Sequence, residues 1–299
     1  MANHSTNAKG VLVTGGSGFI GQHLVRKLVA DGQSVILYDL KPPSDSALLV
    51  NWRTADIFDT GKLQMAISEA NVIIHLVGLA DAGVAQRKPM LSYKLNVASL
   101  QQVLEVCRTS GIKVIFPSSA AIYGITEDLP IKESSPASPT NIYSWHKHLC
   151  EQMIHGYHMN FGVEFVILRL FNVFGKGNKG VIDAFLEQAK NGHDIESFGP
   201  RQYRDFVYSG DVAEALFRAV TCEKAINRVV NVGSGRGTQI RDILDIVCEL
   251  FPKARWHEAK REFSMYDSIA DITLARTLLD LDPQASENSM RRIILEEMM

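Results

Sequence analysis

Val11-Leu12-Val13-Thr14-Gly15-Gly16-Ser17-Gly18-Phe19-Ile20-Gly21 decides the fold. The opening apolar run, rich in β-branched residues, reads as a short strand. It breaks at Thr14-Gly15, and a helical period begins near Phe19, with Ile20, Leu24, Leu28 and Val29 on one side. Val35-Ile36-Leu37-Tyr38 is a second strand that ends on Asp39. Strand, helix and strand within about 30 residues make one βαβ unit. Glycines 15, 18 and 21 stand between the strand and the helix. Glycine there permits a tight turn and a close backbone approach to a pyrophosphate, and the helix N-terminus offers N–H groups to the anion. Asp39 closes the next strand, where a carboxylate can accept hydrogen bonds from an adenosine ribose diol. A 2′-phosphate would be repelled there, so the pattern predicts NAD rather than NADP, and Lys41 changes this little.

The same alternation continues outward. Residues 62–70 read as a helix, 72–77 as an apolar strand and 91–109 as a long helix with Leu95, Leu100, Val103, Leu104 and Cys107 on its buried side. Strands follow at 113–117 and 164–170, with a helix over 143–160 between them. Near-continuous apolar strands are the mark of a parallel sheet buried on both faces. The expected class is therefore α/β, a Rossmann-like doubly wound parallel sheet with a smaller C-terminal α/β lobe. Residues 10–174 form the first part and 175–299 the second. The segment around 204–232 is able to rejoin the first sheet. Residues 1–9 read as a disordered tail. Shorter helices are expected near 181–190, 210–221, 238–250, 272–280 and 286–298, with strands near 205–208 and 228–232.

Composition narrows the function classes. In 299 residues, 31 Lys+Arg oppose 33 Asp+Glu, a balance that argues against nucleic-acid binding. No apolar run approaches the length of a membrane span, and Met1–Lys9 has no signal-peptide core. The four cysteines form no CxxC pair, which predicts reduced thiols in a cytoplasmic protein. His146, His148, His155 and His158 fall in one helical stretch without a Cys or acidic companion pattern, and no metal site is expected.

Tyr143 and Lys147 are one helical turn apart and share a face. Ser118-Ser119-Ala120-Ala121-Ile122-Tyr123-Gly124 follows the strand at 113–117, so Ser119 should open onto the same crevice. A free phenol has a pKa near 10. A neighbouring ammonium should lower it, making Tyr143 a base for a sugar hydroxyl while Ser119 bonds the same oxygen.

Together these residues resemble the extended short-chain dehydrogenase/reductase family, in its nucleotide-sugar epimerase/dehydratase branch. The marks run along nearly the whole chain. They are TGGSGFIG (14–21), Asp39, Asp56-Ile57, His75-Leu76, Asn96, SSAAIYG (118–124), YSWHK (143–147), LRLFNVFG (168–175), FGPRQYRDF (198–206), Asp211-Val212, NVGSG (231–235) and Ala270-Asp271. The resemblance implies catalytic Ser119, Tyr143 and Lys147, with NAD as cofactor. It implies cofactor contacts from Gly15, Gly18, Phe19, Ile20, Gly21 and Asp39, with Asp56 and Ile57 by the adenine. Tyr143 and Lys147 would lie at the nicotinamide end. It also implies substrate contacts from Asn172, Arg204 and Arg261, the arginines clamping a diphosphate through their planar forks.

Ala120 and Ala121 stand where dehydratases of this branch carry an acid and a base. Neither transfers a proton, which leaves redox chemistry at C4. Epimerisation of a UDP-sugar is the leading expectation. Net ketoreduction of a keto sugar is the alternative, and a non-catalytic dinucleotide sensor is a third reading. Ser268, a small residue at a position that gates the C2 substituent in the epimerases, predicts room for N-acetylhexosamines as well as hexoses. The resemblance further implies a homodimer through the helices near 91–109 and 143–160. Two features depart from the family pattern: Trp145 and His146 fill the spacer before Lys147, and Val77-Gly78 follows Leu76.

Overall fold

A computed structural model describes residues 9–43, 50–259, 266–283 and 287–295. The chain begins with β1 (Gly10–Thr14), α1 (Phe19–Ala30), β2 (Val35–Asp39), β3 (Asn51–Thr54), α2 (Thr60–Ser68) and β4 (Ala70–His75). Next come α3 (Ala82–Arg87), α4 (Pro89–Ser92), a π-helical turn (Tyr93–Ala98) and α5 (Ser99–Ser110). Then follow β5 (Lys113–Ser119), a 3-10 turn (Ala120–Tyr123), α6 (Ile142–Phe161), β6 (Phe165–Leu170) and β7 (Asn172–Phe174). After them are α7 (Val181–Lys190), β8 (Ile195–Ser197), β9 (Tyr203–Tyr208), α8 (Ser209–Thr221) and β10 (Arg228–Val232). The described chain closes with β11 (Gly237–Gln239), α9 (Ile240–Leu250), β12 (Trp256–Glu258), α10 (Thr273–Leu279) and α11 (Glu287–Ile293).

Seven strands form one parallel sheet in the order β10-β6-β5-β4-β1-β2-β3. Its two faces carry separate cores, since successive strand residues point to opposite sides. Val11, Val13, Ile115 and Val166 meet α1, α8 and α10 on one face. Leu12, Ile73, Phe116 and Ile167 meet α2, α5 and α6 on the other. The α/β doubly wound reading therefore holds. A third core joins Phe174 and Phe206 to α7, α9 and Ile293. It lies beside a three-stranded sheet, β11-β9-β7, and a two-stranded one, β12-β8.

Some elements differ from expectation. The apolar runs give no sign of β3, whose residues are mostly exposed at the edge of the sheet; Trp52 shows 41% of its surface. The helix expected over 91–109 is continuous but contains the π-helical turn. Widening the turn rotates the buried face, so Asn96 and Val97 are buried while Leu95 is only half-buried. β10 hydrogen-bonds β6 as the seventh strand of the main sheet. β9 instead pairs with β7 and β11.

Candidate functional site

Strand order reverses at β1. The chain steps to β2 and β3 on one side, then returns to β4, β5 and β6 on the other. Ligand crevices in open α/β sheets form at such a point, outside the carboxyl ends of the strands. Here the glycine turn after β1 and the segment after β4 face each other. Gly15 has φ +72°, and a Cβ on it would stand 2.7 Å from the Val77 nitrogen. A Cβ on Gly21 would come within 2.5 Å of Gly16. The turn is therefore closed to larger residues on both counts. Gly18 caps α1 with no side-chain hydrogen bond, so no cap side chain covers its first N–H groups.

Asp39 stands at the lip of this turn. Its carboxylate accepts from the Ser17 N–H at 3.0 Å and the Lys41 N–H at 3.0 Å. The Ser17 hydroxyl donates to the Lys41 carbonyl at 2.8 Å. Asp56 and Ile57 lie close by, because the Ala55 N–H donates to the Asp39 carbonyl. Asp56 is exposed, Ile57 is 5% exposed, and the Tyr38 hydroxyl donates to the Asp56 carbonyl at 2.9 Å. Phe19 and Ile20 are half-buried on the first turn of α1. A bare turn, an uncovered helix N-terminus and a carboxylate at the second strand fit the pyrophosphate and ribose of NAD.

The second group lies where β5 ends. Ser119 begins the 3-10 turn, and its Oγ accepts from the Ala121 N–H at 3.2 Å. Its hydroxyl also bonds the Tyr143 phenol. Asn141 caps α6 through the Ser144 N–H at 3.0 Å, with Ser144 bonding back, and this box fixes where Tyr143 and Lys147 point. Lys147 is buried, donates to the Pro117 carbonyl at 2.8 Å and lies 4.6 Å over the Phe116 ring. Ser119 and Tyr143 are thus brought together, and Lys147, one turn on along α6, is held by the strand that leads to Ser119.

The electrostatics correct one expectation. Burial raises the Tyr143 phenol above its ordinary value, and the Ser119 bond only partly opposes this. Burial also lowers the Lys147 ammonium. The Lys147 ammonium donates to the Pro117 carbonyl and is not among the groups that lower the phenol in the protein alone.

The third group lies on the smaller sheet. Asn172 is exposed on β7 and pairs with Phe206. Arg204, on the same strand as Phe206, is half-buried, stacks 4.2 Å over the Tyr266 ring, and donates to the Tyr266 carbonyl at 2.6 Å and Gln202 Oε1 at 2.7 Å. Ser268 bridges to Arg204, and its carbonyl accepts from the Asp205 N–H at 2.8 Å. Arg261 lies outside the described residues. Ile131 and Ala270 form a bridge that holds this strip against the segment leaving β5. Among the described residues no cluster of three or more His, Cys, Asp or Glu side chains is arranged to hold a metal ion. His155 and His158 instead meet the Phe165 ring edge-on, at 5.0 and 5.4 Å.

Two residues of the site were not given a role from sequence. The buried Asp205 carboxylate gathers Ser234 N–H (2.6 Å), Ser234 Oγ–H (2.7 Å), Gly235 N–H (2.9 Å) and Ala270 N–H (3.0 Å) next to Arg204. Asn96 grips the segment after β4. Asn96 stood in the sequence only as one of the marks of the family resemblance, with no contact assigned to it.

The profile of the NAD dependent epimerase/dehydratase family matches residues 11–233. The UDP-glucose 4-epimerase of Rhizobium meliloti is 28% identical over 303 residues, covering 92% of this chain and 92% of that one. The crystal structure of UDP-glucose 4-epimerase from Brucella ovis in complex with NAD superposes with a TM-score of 0.87 at 30% identity, covering 96% and 97% of the two chains. The UDP-N-acetylglucosamine 4-epimerase from Methanobrevibacter ruminantium, solved with UDP-N-acetylmuramic acid, gives 0.87 at 27% identity over 96% and 97%. Fold, crevice and sequence agree, and the chain belongs to the NAD-dependent epimerase/dehydratase family.

Proposed function

We infer that the crevice epimerises a nucleotide sugar at C4, with NAD held by the glycine turn and Asp39. The observation that carries this reading is the bond between Ser119 and Tyr143 at the end of β5, with Lys147 one turn on along the same helix and tied to Pro117 of that strand. NAD, when bound, supplies a hydride acceptor and then a hydride donor. Tyr143 takes the C4 hydroxyl proton onto its phenol oxygen and later returns it. Ser119 hydrogen-bonds the same sugar oxygen as it becomes a carbonyl. Lys147, one turn on along the same helix, would favour the ionised phenol once cofactor and substrate are bound. The raised phenol must be lowered on loading, so basic turnover is expected to depend on the bound cofactor rather than on the empty protein. Ala120 and Ala121 offer no proton-transfer group for a dehydration.

Arg204, Asn172 and Ser268 form the substrate side, with Arg204 on the diphosphate. Arg261 joins it in our assignment. UDP is the proposed nucleotide. The small Ser268 side chain supports acceptance of N-acetylhexosamines besides hexoses. The Trp145 and Leu149 side chains, one turn apart on α6, are 54% and 42% exposed, and we assign this face, with α5, to a homodimer. All four cysteines are free thiols, which suits a cytoplasmic location.

Proton NMR of the anomeric region tests the reaction. Protein with sub-stoichiometric NAD is mixed with UDP-glucose or with UDP-N-acetylglucosamine. A second anomeric doublet of the C4 epimer should grow to equilibrium without matching NADH. Tyr143→Phe should abolish it by at least a factor of about 100 while NAD still binds. No second doublet with either sugar would overturn the reading.

A further inference from the structure

His146 lies in the spacer between Tyr143 and Lys147. Its Nδ1 lies 2.9 Å from Ser92 Oγ, and its ring meets Tyr93 edge-on at 5.9 Å. Ser92 Oγ also accepts from Asn96 Nδ2 at 3.1 Å. An amide nitrogen only donates, and a hydroxyl oxygen can accept twice, so Ser92 Oγ joins Asn96 to His146 while the direction of its bond to Nδ1 follows the histidine tautomer. The three side chains form one hydrogen-bonded path: Asn96, Ser92, His146.

At its other end the path grips the crevice wall. The Leu79 N–H donates to Asn96 Oδ1 at 3.0 Å, and Asn96 Nδ2 donates to the Leu79 carbonyl at 3.2 Å. One side-chain amide thus holds both polar groups of one backbone residue. Leu79 lies just past Leu76 and Val77, the residues that face Gly15 across the crevice. Gly78 is part of the same fit, because a Cβ there would stand 2.7 Å from Asn96 Oδ1. The π-helical turn and the end of α4 bring Ser92 and Asn96, four residues apart, to one side of the helix.

We propose that His146 is a positioning residue that couples the catalytic helix to the cofactor-facing wall Leu76–Leu79 through Ser92 and Asn96. The proposal rests on the reading that this crevice holds NAD. Fixed this way, the wall and the Tyr143–Lys147 face keep one distance, and cofactor and catalytic side chains stay in register. A histidine that merely packed on Tyr93 would need its ring and no polar ring atom.

The test separates those roles on the full chain stripped of cofactor. His146→Phe keeps an aromatic ring against Tyr93 and loses the ring nitrogen that bonds Ser92. His146→Asn places an amide oxygen near the Nδ1 position. NAD dissociation constants are measured by calorimetric titration, with thermal midpoints and sugar KM alongside. His146→Phe and Ser92→Ala should each weaken NAD binding by about tenfold with sugar KM within about twofold of wild type. His146→Asn should recover to within about threefold of wild type, and His146→Phe/Ser92→Ala should bind no worse than either single variant. Gly78→Ala disturbs the path from the far end and should give the same loss, which keeps the test open if His146→Phe does not fold. Wild-type affinity in His146→Phe or in Ser92→Ala, multiplying losses in the double variant, or no rescue by asparagine would overturn the coupling. Wild-type protein that binds NAD but turns over no sugar would sink the epimerase reading alone.

Discussion

His75 ends β4, and among the described residues no carboxylate shifts its ring. The Thr14 hydroxyl bonds its Nδ1 at 2.8 Å and Ser99 Oγ meets Nε2 at 3.1 Å. The Ser99 proton goes to the Leu95 carbonyl at 2.6 Å, so Ser99 accepts from Nε2–H and Nδ1 accepts from Thr14. The ring is neutral, and burial, with the Lys147 charge, pushes it down to about 3. An unfolded histidine titrates near 6.5. Between these values the unfolded chain binds a proton that the folded chain refuses, so stability falls as pH drops from about 6.5 towards 3. The slope from this one group is about 1.4 kcal/mol per pH unit. His75→Asn should flatten the decline by that amount, read as urea midpoints from pH 7 to 4. An unchanged slope would count against it. At this scale the sequence was legible where chemistry is written in a fixed spacing, as in Gly15–Gly21 or Tyr143–Lys147. It was silent where partners meet from afar, as with Arg204 and Tyr266, or Asp205 and Ala270, because nothing local marks such a pair.

At the scale of elements, α6 is held by more than its apolar stripe. Glu151, one turn beyond Lys147, forms a buried ion pair with Arg169 of β6, Nη2 to Oε2 at 2.8 Å. Arg169 also donates to the Tyr123 hydroxyl at 2.8 Å and the Glu133 carbonyl at 3.0 Å. Tyr123 donates to Asn231 of β10 at 2.6 Å, and burial pushes its phenol up to about 12. One guanidinium thus ties the catalytic helix, the turn after β5 and two strands. Glu151→Ala leaves that cation buried and unpaired, which costs about 3–5 kcal/mol. Denaturant unfolding should show the loss, and Glu151→Ala with Arg169→Met should recover much of it. Equal stability of Glu151→Ala and wild type would refute the account. Element types followed from periodicity because strand and helix differ in it. The π-helical turn did not, since it depends on what Asn96 finds on the neighbouring loop.

For the whole molecule, the exposed α6 face sets the assembly we propose. A buried two-fold seam would hide Trp145 and Leu149, and Leu149→Glu would place a charge there. Light scattering should find a dimer for wild type and a shift to monomer for Leu149→Glu, with the fold retained by circular dichroism. A wild-type monomer at micromolar concentration would remove that assignment.

The seventh strand has a consequence for how the chain is made. β6 is an open edge until β10 arrives, and α1 has no cover until α8 lies on it, with Lys27 paired to Glu214 at 2.8 Å. Both late pieces lie more than 30 residues beyond Phe174. During synthesis the first six strands therefore emerge from the ribosome before their last neighbour exists. A nascent chain halted after Phe174 presents an unpaired edge and a bare helix flank, both sticky surfaces. It should bind chaperones at the ribosome and resist release in soluble form, whereas a chain halted well past Val232 should not. Translation speed over residues 175–232 then becomes a determinant of yield.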